Sequence, residues 1–249
     1  MNKKNYLLDL NNSKKPFIIY KSDKGFDLYT DFSKKIILNN KNIKKFINTN
    51  IRLKSTGKET DLFIGFFGYQ ILNNLIGVKI KKQTTTNFPK GIFYKPETKI
   101  KFSNNLEYKK TRLSNPSNLF KININKKSYK IIFDKFKKKI KSGETYQIKI
   151  CTKYSNKSEI DALDFFSRLV KSNMAPEAFM IKDKNYSIIS CSPENLITKK
   201  NNFITTKPIA GTLKKNKKLN KNKALTFFRK NLKETKEHNM IVDMERNDL

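Results

Sequence analysis

The sequence has no tryptophan, a single histidine and only two cysteines, and each shortage narrows what the chain can be. With His238 alone, a histidine-built metal site is excluded. Cys151 and Cys191 cannot support a disulfide scaffold, and so sparse a cysteine usage fits the reducing cytoplasm. No apolar run approaches the roughly 20 residues of a membrane span. The opening stretch, Met1 to Asp9, has basic residues but too short an apolar core for a signal peptide. Arginine is scarce as well, at positions 52, 112, 168, 229 and 246 only. It is the residue best suited to bidentate phosphate and base contacts. The formal charge of +33 is therefore carried by lysines, spread along the chain among many Asn and Ile, as an A/T-rich coding bias produces. It reads as a solvated lysine surface. A basic nucleic-acid-binding protein is the competing reading, and binding that collapses steeply with salt would mark it.

What is present suffices for a core: 37% hydrophobic and 12% aromatic residues over 249 positions, enough for one large domain or two small ones. Apolar bursts at Tyr6-Leu7-Leu8, Phe17 to Tyr20 and Ile36 to Leu38 predict strands, as does Leu62 to Tyr69 with its two glycines. Residues 70–76 predict a short helix stopped by Gly77, and Ile92-Phe93-Tyr94 a strand before Pro96. Residues 104–125 are polar and turn-rich and read as a crossover between an N-terminal α+β subdomain (1–103) and a second part (126–249). Tyr129, Ile132, Phe133, Phe136 and Ile140 share one helix face, and Gly143 suits a left-handed cap. Tyr146 to Cys151 alternates as a strand. Ser158 is placed as the N-cap of a helix whose stripe is Ile160, Leu163, Phe166, Leu169 and Val170. Two hairpins follow, 178–190 and 196–205. Leu225, Phe228 and Leu232 then mark a helix, with another from Glu234. Strands and helices come in blocks, which favours α+β.

The chemistry is concentrated between Ser190 and Leu249. Glu234 and Glu237 are three apart, so a helix sets both carboxylates on one side, as suits Mg²⁺ with its one or two carboxylates plus water and substrate. An arbitrary pair at this spacing is more often a solvated face. Glu194 follows Pro193 at the end of an apolar strand, where partial desolvation would raise its pKa toward that of a general acid. Pro208-Ile209-Ala210-Gly211-Thr212 offers backbone N–H groups and a hydroxyl to an anion. No base accompanies Cys191, and both cysteines read as buried small apolar residues.

In order and spacing these elements resemble the chorismate-utilising enzymes, in particular the large components (component I) of anthranilate synthase and aminodeoxychorismate synthase. The resemblance runs from about Tyr129 to Leu249. It rests on Ser142-Gly143-Glu144-Thr145-Tyr146-Gln147, Ser192-Pro193-Glu194, Pro208 to Thr212, Lys233-Glu234-x-x-Glu237-His238 and Asp243-x-x-Arg246-Asn247-Asp248-Leu249. Gly65 to Tyr69 resembles the family's N-terminal subdomain. The resemblance implies an α+β fold, a layered α/β/β/α sandwich of antiparallel sheets flanked by helices, incomplete at the C-terminus. It implies that Glu237, assisted by Glu234, holds Mg²⁺. Glu194 would protonate the leaving 4-hydroxyl of chorismate, and Gln147, Ala210, Gly211, Thr212 and Arg246 would contact substrate.

Gln147 stands where the water-adding members resemble one another in having a lysine base. A neutral amide cannot deprotonate water, so ammonia, supplied in the family by a glutamine amidotransferase subunit (component II), is the implied nucleophile. Ala210 stands where many aminodeoxychorismate synthases have a nucleophilic lysine, which favours anthranilate and tryptophan biosynthesis over folate. No counterpart of the family's tryptophan-sensing motif is found; Leu7-Leu8-Asp9 is a poor match. The family continues beyond the position of Leu249 with further metal and substrate ligands. The 249 residues alone are accordingly expected to be inactive. A non-catalytic fragment is the remaining alternative.

Overall fold

The computed structural model describes residues 3–51, 57–78, 88–103, 108, 119–157, 160–216 and 218–249. Helix α1 (Lys3–Asn12) is followed by β1 (Phe17–Ser22) and the long β2 (Gly25–Ile37). Tyr6-Leu7-Leu8 thus lies in a helix, not the expected strand. Leu7, Leu10 and Asn11 are buried at helical spacing, and that period outweighs a three-residue apolar burst.

Next come α2 (Ile43–Ile51), β3 (Ile64–Phe67), α3 (Tyr69–Leu75) and β4 (Gly91–Phe102). The glycine of β3 is there for a close approach: a Cβ on Gly65 would lie 1.9 Å from the Ile92 carbonyl oxygen. Strand β4 does not stop at Pro96. Phe32 faces Pro96 and Lys34 faces Lys95, so β2 bulges at Ser33 and accommodates the residue that lacks an N–H.

By compactness the chain forms two units, Lys109–Phe165 and the combination of Met1–Tyr108 with Phe166–Leu249. The former contains β5 (Lys121–Ile122), α4 (Lys126–Lys141) and β6 (Tyr154–Ser155). Helix α4 ends as expected: Gly143 has φ +76°, and the Gly143 and Glu144 N–H groups donate to Ile140 and Lys139. Its apolar face is not buried, however; Tyr129, Phe133 and Ile140 remain exposed. Nor does Tyr146 to Cys151 form the expected strand. The ladder between β5 and β6 extends only to Asn123 and Lys153, and alternation without a partner strand makes no sheet. Of the crossover 104–125, residues 104–107 and 109–118 lie outside the described residues, as does Ser158.

Helix α5 (Ala162–Asn173) is capped by Asp161, whose side chain accepts the Asp164 N–H at 2.9 Å. Leu163 and Phe166 are buried, whereas Ile160 precedes the helix and is exposed. Then follow β7 (Glu177–Lys182), β8 (Ser187–Ser192), β9 (Thr198–Lys200), β10 (Phe203–Thr205), α6 (Lys221–Lys230) and α7 (Leu232–Asp248).

The class is α+β. Six antiparallel strands form one sheet in the order β3-β4-β2-β1-β7-β8. Its centre joins distant parts of the chain, since Phe17 to Tyr20 pair with Lys182 to Phe179. Ile18, Tyr29, Ile92, Tyr94 and Ile181 make the core on the sheet, and Phe26 meets Phe166 of α5 edge-on. One carboxylate is buried beside them. Asp183 accepts from Tyr94, from Lys35 at 2.6 Å and from the Lys184 N–H at 2.6 Å. Burial pushes its pKa up, but these donors outweigh that and hold it below the ordinary aspartate value. Among the described residues no helix is long and apolar enough to cross a membrane.

Candidate functional site

Strand β8 ends at Ser192, whose hydroxyl accepts the Glu194 N–H at 3.2 Å and donates to the Glu194 carbonyl at 2.8 Å. This turn leaves Glu194 half-buried. The next residue, Asn195, donates to Glu177 of β7 at 3.3 Å, and Glu177 also accepts from Tyr20 of β1. The turn is thereby tied to the middle of the sheet.

Glu194 reaches across to the second element of the site. Its Oε1 accepts the Ile209 N–H at 3.1 Å, so the carboxylate and the 208–212 segment are in direct contact. Two residues on, Gly211 has φ +84°. A Cβ there would lie 2.7 Å from Phe228 Cε1 and 2.8 Å from Glu234 Oε2. Glycine is required both for the backbone conformation and for the approach to α7.

Helices α6 and α7 are separated by Asn231 alone. Its N–H closes α6 on the Phe227 carbonyl at 3.0 Å, and its side chain caps α7 at the Glu234 N–H, 3.3 Å away. So short a junction folds Leu225, Phe228 and Arg229 of α6 toward the start of α7. With Pro208, Ile209, Ala210, Glu234, Thr235 and His238 they line a cavity of about 440 Å³.

The Lys233 ammonium lies 3.2 Å from Glu234 and 3.7 Å from Glu237, so both carboxylates gather about one cation. The hydrogen bond to Glu234, and then the two negative charges, raise the Lys233 pKa. This arrangement fits a divalent ion held by two carboxylates, with water and substrate completing its shell. Among the described residues no group of three or more His, Cys, Asp and Glu side chains gathers as a metal site.

The sequence-predicted residues Glu194, Ala210, Gly211 and Glu234 are thus brought into one neighbourhood, with Glu237 at its edge. Thr212 follows Gly211 and is exposed. Arg246 stands apart, with its side chain 79% exposed and paired to Asp243 at 3.1 Å. Gln147 belongs to the other compact unit and is exposed. Of the cysteines, Cys151 is exposed, not buried as expected, because the segment around it joins no sheet. Cys191 is half-buried on β8. The pocket role of Leu225, Phe228, Arg229 and His238 was not foreseen; the i, i+3, i+4 spacing of the first three was its one signal.

The model of the chorismate binding enzyme family matches residues 3–249, and the chain belongs to that family. Relatives named for aminodeoxychorismate synthase and for anthranilate synthase are both among its matches. It is 34% identical over 117 residues to aminodeoxychorismate synthase component 1 of Bacillus subtilis (strain 168), covering 47% of this chain and 25% of that protein. It is 28% identical over 214 residues to an anthranilate synthase component I-like protein of Synechocystis sp. (strain PCC 6803), covering 75% and 44%. The crystal structure of anthranilate synthase component I from Streptococcus pneumoniae TIGR4 superposes with a TM-score of 0.66 at 22% identity, over 93% of this chain and 59% of that one. The chain therefore spans less than two thirds of the length of each of these proteins.

Proposed function

We propose that the chain contributes one wall of an active site that aminates chorismate, forming anthranilate and pyruvate with Mg²⁺ and ammonia supplied by a glutamine amidotransferase subunit. The observation that carries this is the meeting of Glu194, the 208–211 turn and Glu234, three separate family motifs, within one set of contacts. Glu194 is oriented by the Ile209 amide and donates a proton to the departing hydroxyl, which leaves as water while ammonia adds to the ring. Glu234 and Glu237 would hold the ion, which when bound neutralises a ring carboxylate and draws electrons from the ring. Free Cys151 and Cys191 support a cytoplasmic setting.

Formation of aminodeoxychorismate is the second reading: a relative named for that activity is 34% identical over 117 residues, the same identity as relatives named anthranilate synthase component 1 over 138 and 131 residues. Ala210 favours the first, because it offers no amine for a covalent intermediate. The test is chorismate, MgCl₂ and ammonium with the product of the longest reading frame that contains these 249 residues. Anthranilate fluorescence with stoichiometric pyruvate supports the proposal, and aminodeoxychorismate as sole product supports the second reading. No Mg²⁺-dependent chorismate consumption overturns both.

A further inference from the structure

The contact of Gly211 with Glu234 has a counterpart at the other end of α7. Thr206 donates its hydroxyl to Glu245 and, at 2.9 Å, to the Leu196 carbonyl, sharing one proton between them. Glu234 and Glu245 are eleven residues apart, a rotation of about 20° after three turns and a rise of about 16.5 Å. Both belong to the half-buried stripe Glu234, Glu237, His238, Ile241, Met244 and Glu245. Thr206 and Gly211 are five residues apart, which an extended chain covers in about 17 Å. The lengths match. The 206–211 segment therefore runs antiparallel along one face of α7, hydrogen-bonded to it at Thr206 and closely apposed to it at Gly211.

We propose that Glu245 is a positioning residue, which with Thr206 pins the far end of α7 and so fixes the height of Glu234 against Gly211. The same hydroxyl holds Leu196, two residues past Glu194, so the pin also ties the Glu194 turn to the helix. A slip of α7 by a single residue would move Glu234 by about 1.5 Å and turn it through about 100°. Misplacement on the order of 1 Å costs about 100-fold in rate at a preorganised site. The catalytic weight of the pin rests on the proposed function; its geometry does not.

Hydrogen exchange on the 249-residue chain tests it without any chemistry. E245A and T206V should each speed exchange of the 233–238 amides by roughly 10- to 100-fold. The double variant should be no faster than either single one, and E245Q, which keeps an acceptor for Thr206, should match the parent. Unchanged exchange in E245A, additive effects, or E245Q behaving as E245A would overturn the pin. In the longest reading-frame product, E245A should lower kcat/KM for chorismate and E245Q restore it; equal losses in both would also overturn it. A parent without turnover overturns the chorismate reading instead, and the exchange result still decides the pin.

Discussion

Asp183 is the residue on which the sheet's polar interior depends. Its carboxylate is 6% exposed and serves four donors, Tyr186 at 3.2 Å being the fourth, so Asp183→Asn removes a charge from a buried hydrogen-bonded group. The expected loss is about 2–3 kcal/mol, measured by urea unfolding at pH 7. The sign of the pH effect follows from the lowered folded-state pKa. The stabilisation is fully present above the unfolded aspartate value of about 4 and is lost as pH falls through the folded value. The difference between parent and D183N should therefore begin to shrink as pH falls below about 4 and vanish only below the folded-state value. Gly211 and Gly143 form a second comparison. Both have positive φ, at +84° and +76°, but an added Cβ meets Phe228 and Glu234 at the former and nothing within 4 Å at the latter. G143A should cost about 1 kcal/mol in urea, the strain of an αL backbone. G211A should cost that strain and also displace α7, seen as faster amide exchange over 233–238.

Helix α4 separates two properties that its sequence runs together. The 3.6-residue period establishes that it is a helix, and the Asn125 side chain capping the Ser128 N–H and the Gly143 turn fix its ends. What the apolar face packs against is a question of partners that no local pattern contains. Phe133 is 44% exposed and Phe166 wholly buried. Phe133→Ser should thus change stability by less than about 1 kcal/mol, whereas Phe166→Ala should cost about 3–5 kcal/mol, both read from urea midpoints. The same distinction explains what else was legible. The 177–192 hairpin and Gly77 after α3 follow from neighbours in sequence. Tyr6 to Leu8 did not, because three apolar residues carry no period, and neither did the pairing of β1 with β7. In the site, Glu194, the glycine turn and the two glutamates were readable because their motif order is specific. The α6 wall arises from how one capping residue, Asn231, turns the chain, and the Thr206–Glu245 tie joins residues 39 apart in sequence, which no local pattern contains.

At the scale of the molecule, apolar side chains remain uncovered well beyond α4: Leu196 is 76% exposed, Phe203 77% and Leu232 71%. The chain spans only 25% and 44% of the length of the Bacillus subtilis and Synechocystis relatives. The 249 residues alone should give no anthranilate from chorismate, Mg²⁺ and ammonium, and should brighten an apolar-surface dye such as ANS. Anthranilate fluorescence above the no-protein rate would refute this expectation. The lysine excess predicts only weak nucleic-acid binding, checked by titrating duplex DNA at 50 and 200 mM salt; tight binding at 50 mM that collapses steeply by 200 mM contradicts it.

The pairing of β1 with β7 also sets a schedule. Phe17, Ile18 and Ile19 are synthesised some 160 residues before their partners Lys182, Ile181 and Met180. At about 5–20 residues per second, this edge waits roughly 10–30 s on the ribosome with its backbone groups unpaired on one side. The strand that ends at the centre of the sheet is thus its most exposed edge during birth. Whatever shields nascent chains from one another has its first task at residues 17–20, long before any residue of the site has been made.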